Sequence, residues 1–176
     1  MNNSLYIREL IVASVLILGL TASSFAQTLR FSMDVQPELG IEVLQDLNFG
    51  TVITNSGTQR ISMGESRMGI FKIKALAAQN ALLTIQNPDY LNSEDANNGD
   101  KIPVSINAAY SSSPAEYTDI LNFRDNSLQV SLGRDDPASL SPSWETGYVF
   151  IYGAIEVGAV TKGSYSGTLV LNVTYQ

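Results

Sequence analysis

From Leu29 to the C-terminus the chain alternates apolar and polar residues with a period of two, and a helical period of 3.6 is nearly absent. Successive side chains of a strand point to opposite faces, so the pattern predicts strands with one buried and one wet face. Leu29, Phe31, Met33 and Val35 alternate with Arg30, Ser32, Asp34 and Gln36 until Pro37 interrupts. Strands are expected at 41–45, 47–53 and 59–63, with the turn cluster TNSGT between the last two. In GIFKIKA, Phe71, Ile73 and Ala75 share a face opposite Lys72 and Lys74, and ALLTIQ at 81–86 ends at Asn87-Pro88.

A polar loop is expected over 91–101, followed by a strand in which Ile102, Val104, Ile106 and Ala108 alternate. YTDILNF at 117–123 is the one place where a short helix fits, and Leu128, Val130 and Leu132 alternate in SLQVSL. A loop rich in turn formers is expected at 133–147. YVFIYGAI at 148–155 is apolar on both faces, which predicts a central strand covered on both sides. Roughly eight short strands without a βαβ rhythm predict an all-β, antiparallel two-sheet sandwich.

At the N-terminus, Arg8 precedes the uncharged run LIVASVLILGL at 10–20 and the small-residue tract TASSFA. Ser24 and Ala26 stand where a signal peptidase reads its site, so residues 1–26 are expected to be a signal peptide cleaved before Gln27. The apolar run is shorter than the ~20 residues needed to cross a bilayer. No second run approaches that length, so no membrane span is expected after cleavage. Gln27–Gln176 would form one domain, and losing Arg8 and Glu9 together leaves the formal charge of −7 unchanged. An acidic surface repels phosphates and argues against nucleic acid as a partner.

The chain has no cysteine and no histidine. Disulfides are therefore impossible, and so are Ser-His-Asp and Cys-His nucleophile systems and imidazole metal ligands. No cofactor, metal site or enzyme activity is expected. DANNGD at 95–100 offers Asp95, Asn97 and Asp100, but its glycine and final acid are in the reverse of calcium-loop order, and a solvated turn is the simpler reading. The neighbouring carboxylates Glu94-Asp95 and Asp135-Asp136 do not have the separation of a glycosidase pair. Trp144, the single tryptophan, is read either as a lid over one end of the core or as an aromatic platform for a sugar or partner.

The last residues, GSYSGTLVLNVTYQ, continue the alternation almost to the terminus. Tyr165, Leu169, Leu171, Val173 and Tyr175 point one way, and Ser166, Thr168, Val170, Asn172 and Thr174 the other. Read as one strand, Tyr165–Tyr175 would be roughly 36 Å long at ~3.3 Å per residue, and a terminal strand of that length frays unless something pairs with it. Gly163 and Gly167 would allow a bend or a close backbone approach at its start.

This ending, with Gly163 fourteen residues from the end and a penultimate Tyr175, resembles the C-terminal motif of bacterial pilins assembled by the chaperone–usher route. DLNFG at 46–50, FIYGAI at 150–155 and GSYSGTLVLNVTY at 163–175 are also similar to spore-coat-U-like secreted proteins and to a related bacterial secreted domain family of unknown function. The resemblance implies an incomplete immunoglobulin-like sandwich from a Gram-negative bacterium, exported to the periplasm, the cell surface or the medium. Its open groove would be filled in trans, first by a periplasmic chaperone and then, at an outer-membrane usher, by the N-terminal extension of another subunit. On this reading Gly163, Tyr165, Leu169, Leu171, Val173 and Tyr175 belong to the assembly strand, and residues 27–36 are a candidate donor strand.

Burying Leu29, Phe31, Met33 and Val35 at ~1.5–3 kcal/mol each would contribute roughly 6–12 kcal/mol, and fixing some eight backbone units costs about 8–16 kcal/mol. The segment has no reason to order alone and needs an open sheet edge. That edge belongs either to its own sandwich or to another copy. The leading expectation is therefore a structural subunit of a pilus or surface fibre, and the alternative is a monomeric secreted sandwich that binds carbohydrate or an envelope or host partner through its loops.

Overall fold

The structure, a computed structural model, describes residues 39–77, 79–115, 117, 119–132 and 143–176. The expected signal peptide, the expected strand bearing Leu29, Phe31, Met33 and Val35, and residues 133–142 lie outside these.

The described residues form strands and turns, with no helix among them. Eleven strands run in chain order: β1 (Gly40–Gln45), β2 (Gly57–Ile61), β3 (Gly69–Leu76), β4 (Gln79–Gln86), β5 (Tyr90–Ser93), β6 (Lys101–Ser111), β7 (Leu121–Asn122), β8 (Ser127–Leu132), β9 (Trp144–Val157), β10 (Tyr165–Ser166) and β11 (Val170–Tyr175). They make two antiparallel sheets, so the fold is the all-β sandwich expected from the alternation. The larger sheet has the order β1-β3-β9-β6-β5-β10, with β2 beside β9 and β7 beside β6; the smaller has the order β11-β4-β8.

Strand β9 organises the larger sheet. One edge pairs with β3 over Leu76↔Trp144 to Gly69↔Ile151 and then with β2 over Ile61↔Gly153 to Gly57↔Val157. Its other edge pairs with β6 from Ser111↔Tyr148 to Val104↔Ile155. In the smaller sheet Leu83 stands opposite Val173 on one side and Leu128 on the other.

The period-two pattern explains the core. Ile73, Ala75, Ala108, Tyr110, Val149 and Ile151 of the larger sheet meet Ala81, Leu83, Ile85, Val130, Leu132 and Leu171 of the smaller. The outward face of β9 is covered as well: Phe150 is fully buried with Ile61 and Met68, and the Tyr117 ring meets it edge-on at 5.2 Å. This second layer is why YVFIYGAI reads as apolar on both faces.

Five local expectations are corrected. Residues 47–53 form no strand. Their alternation is genuine, since Leu47 and Phe49 pack inward, but their polar groups are taken by a loop. The Asn48 N–H donates to the Arg67 carbonyl at 3.0 Å, the Gly50 N–H to Asn48 Oδ1 at 2.8 Å, and the Arg67 guanidinium to the Phe49 carbonyl at 2.9 Å. The 91–101 segment begins within β5, which pairs with β6. Residues 144–147 belong to β9 rather than to the preceding loop, and in 117–123 the described residues hold the two-residue strand β7 in place of a helix.

The fifth correction concerns the ending. Tyr165–Tyr175 is two strands, broken at 167–169: β10 pairs with β5 in the larger sheet, and β11 pairs with β4 in the smaller. A Cβ on Gly167 would lie 3.0 Å from Leu91 Cδ2 and 3.3 Å from the Tyr90 carbonyl oxygen, so the chain crosses between sheets where only a glycine passes freely.

Candidate functional site

The smaller sheet roofs only part of the inner face of the larger. Beyond it lie Ile102, Val104 and Ile106 of β6 and Ile155 and Val157 of β9, all on that inner face by their register. Around Ile102, Val104, Ile155 and Val157 the apolar neighbours are Phe49, Val52, Leu91, Val160 and Tyr165, from connecting segments, β5 and β10 rather than from the smaller sheet, while Ile106 borders the main core. Above this floor opens a cleft of about 1060 Å³. One wall runs from Val43 of β1 to Thr54, and the other from Val160 to Leu169. Asp46 and Lys162 are the charged residues among the described lining, so the cleft presents an apolar floor with few charges.

Both walls are held by specific bonds. On the first, the Gln45 side-chain amide donates to the carbonyls of Ser66 (2.8 Å) and Met68 (2.5 Å), which adds to the Asn48 and Arg67 bonds described above. On the second, the Tyr165 hydroxyl donates to the Thr161 carbonyl at 2.7 Å, and the Asp100 carboxylate accepts the Thr161 N–H at 2.7 Å. That backbone N–H is the main cause holding the Asp100 carboxyl below its ordinary value of 3.8. The walls meet at one end, where the Thr54 hydroxyl donates to the carbonyls of Gly158 (3.2 Å) and Val160 (3.1 Å).

Val43 and Gln45 of β1 line the cleft, and its other wall ends at Leu169, next to the start of β11. Among the described residues β1 pairs only with β3, and β11 only with β4. On β1, Ile41, Val43 and Leu44 are exposed, with Val43 57% accessible. A long apolar edge of this kind is a template for another strand.

The structure divides the expected assembly residues into two groups. Gly163, Tyr165 and Leu169 line the cleft, while Leu171, Val173 and Tyr175 of β11 face the core between the sheets. Leu29, Phe31, Met33 and Val35 fall outside the described residues. Trp144 is 43% exposed at the start of β9, and the Lys74 ammonium lies over its ring, 5.4 Å from the centroid, so the protein's own cation occupies one face. In DANNGD, Asp95 Oδ1 accepts the Asn97 N–H at 3.0 Å and Asn98 Oδ1 the Asp100 N–H at 2.9 Å, which is turn chemistry. No group of three or more acidic residues able to hold a metal occurs among the described residues.

The floor residues Ile102, Val104, Ile106, Ile155 and Val157 were visible in the sequence as strand positions but not as a site. The signal that would have found them is a mismatch of lengths: β6 and β9 have eleven and fourteen residues, while β4 and β8 above them have eight and six. Compared with known protein families and with curated proteins, the chain matches no family model and no curated sequence.

Proposed function

We propose that the protein is an exported structural subunit of a pilus or surface fibre, joined to other copies or related subunits by β-strand complementation. The observation that carries this reading is the apolar cleft over the part of the larger sheet that the smaller sheet does not reach, bordered by β1, which among the described residues pairs only with β3. An extended segment with an apolar residue at every second position suits such a site, because its backbone completes a ladder while alternate side chains enter pockets. Leu29, Phe31, Met33 and Val35 have that spacing. A periplasmic chaperone and an outer-membrane usher are the partners that this route of assembly requires.

The test is removal of residues 27–36. The shortened protein is expected to keep its circular dichroism spectrum and to lose the heat-resistant, concentration-dependent ladders that the full mature chain forms on a gel. Loss of monomer folding would instead assign the segment to the chain's own sandwich.

A further inference from the structure

The cleft carries one charge of each sign, and the two stand at opposite ends of its floor. Asp46 lies on the first wall, between Gln45 and Leu47. A Cβ on Gly69, the residue paired with Ile151, would lie 3.2 Å from the Leu47 nitrogen, which sets Asp46 at the Ile151 level of β9. Lys162 lies on the second wall, next to Thr161, whose N–H the Asp100 carboxylate holds just ahead of β6. Because β6 runs antiparallel to β9 with Val104 opposite Ile155, its start lies at the Val157 end. The six residues of β9 from Ile151 to Val157 cover ~20 Å. Both charged side chains are exposed, and neither has an ion-pair partner among the described residues. The segment 27–36 likewise carries one charge of each sign, Arg30 and Asp34. These alternate with Leu29, Phe31, Met33 and Val35, so in a strand whose apolar face meets the floor they turn toward the rims. Four residues separate them by ~13 Å, and the long arginine and lysine side chains bridge the rest.

We infer that Asp46 and Lys162 select the occupant of the cleft and its orientation, Arg30 of a second copy pairing with Asp46 and its Asp34 with Lys162; the inference rests on the assembly reading. Chain length is what requires a second copy. Gly40 is paired through Lys74 to the level of Thr146, eleven residues before Val157, which is ~36 Å along β9. Six chain steps join Asp34 to Gly40 and span at most ~22 Å. The chain's own segment therefore cannot bring Asp34 to the Lys162 end, and the reach of a lysine side chain does not cover the shortfall. Only the reversed orientation is open to it, which sets Asp34 toward Asp46 and Arg30 toward Lys162, like charge against like. The two charges thus favour a second copy and act against the reversed occupant.

The experiment follows ladder formation by full mature chains at low salt. Arg30→Glu and Asp46→Lys are each expected to slow it roughly three- to tenfold, because attraction at one end of the cleft becomes repulsion. Mixed in equal amounts, the two variants are expected to regain the wild-type rate, since every contact between unlike chains then joins opposite charges. Sodium chloride at about 1 M should shrink the defect of each variant alone by screening the exposed charges. If either variant alone assembles as fast as the wild type, or if the mixture is no faster than the variants apart, the charges do not select the occupant; ladders still formed at the wild-type rate would leave the assembly reading standing. If the wild-type chain forms no ladders and Arg30→Glu raises its unfolding midpoint, the chain's own segment lies in the cleft, and the inference falls together with the assembly reading.

Discussion

The hydroxyl of Tyr175 accepts the backbone N–H of Leu76 at 3.0 Å. This bond ties the end of β11, in the smaller sheet, to the end of β3, in the larger, while the Tyr175 ring packs on the core between them. The penultimate aromatic therefore closes the sandwich at the point where a terminal strand would otherwise fray. Tyr175→Phe is expected to cost about 1 kcal/mol by leaving the Leu76 donor unpaired, and Tyr175→Ala about 3 kcal/mol by removing the ring as well. Urea unfolding of the two variants measures both; an unchanged Tyr175→Phe would mean that the hydroxyl contributes nothing, and equal losses that the ring adds nothing to it.

Gly153, at the centre of FIYGAI, sits where β9 passes β6 so closely that an added Cβ would collide with the Ser105 carbonyl oxygen and lie 3.1 Å from Ile106 Cα. The obstacle is backbone on a paired strand, which cannot swing aside as a side chain can. Gly153→Ala is expected to destabilise the fold by about 3 kcal/mol and to disturb the cleft floor at Ile106. A change below 1 kcal/mol in the unfolding free energy would show that β6 and β9 separate more easily than this packing allows.

Acid should loosen one wall of the cleft before the core. The Asp100 carboxyl is held below its ordinary value, first by the Thr161 backbone N–H, so its charged form is favoured by folding. Its contribution is present above the ordinary carboxylate range and is lost as pH falls through the lowered folded value. Hydrogen exchange at the Thr161 amide is expected to speed up, beyond its intrinsic pH dependence, as pH falls below about 4. Asp100→Asn should remove that extra response. An unchanged response in the variant would place the titrating group elsewhere.

Several elements are legible in the sequence for one physical reason. In β3, β4, β6 and β8 a single face meets the core, so alternation reports burial directly: Ile73 and Ala75, Leu83 and Ile85, and Val130 and Leu132 are all buried. β9 is legible by the opposite sign, being covered on both faces. The failures come from interactions that pattern does not encode. Leu47, Phe49 and Val52 alternate like a strand, yet the bonds to Arg67 and within the Asn48 turn replace a ladder. Likewise the 165–175 pattern continues unbroken in its letters, while the chain changes sheets at Gly167 because Leu91, Pro88 and Tyr90 crowd that point. The cleft is not legible at all as a site. Its floor joins β6 to β9 from distant stretches of chain, and what defines it is the missing length of the sheet above.

Cleft chemistry can be changed without touching the rest of the core. Val104 is half-buried in the floor, and Val104→Asp should place a charge where an apolar side chain is expected to dock, while the charge stays partly solvated in the free subunit. Ladder formation is expected to fall at least tenfold, with the unfolding midpoint of the monomer little changed. Undiminished ladders would remove the cleft from the assembly interface.

The absence of cysteine allows the central claim to be tested by one cross-linking measurement. Three variants are prepared: one carrying only Phe31→Cys and one only Val104→Cys, which are mixed under mild oxidation during assembly, and one carrying both, which is oxidised by itself. If a segment from one copy fills the cleft of another, the mixture yields a disulfide-linked heterodimer that neither single variant gives alone. If the bond forms only when both cysteines are on the same chain, the leader closes its own sandwich and the account of assembly is wrong.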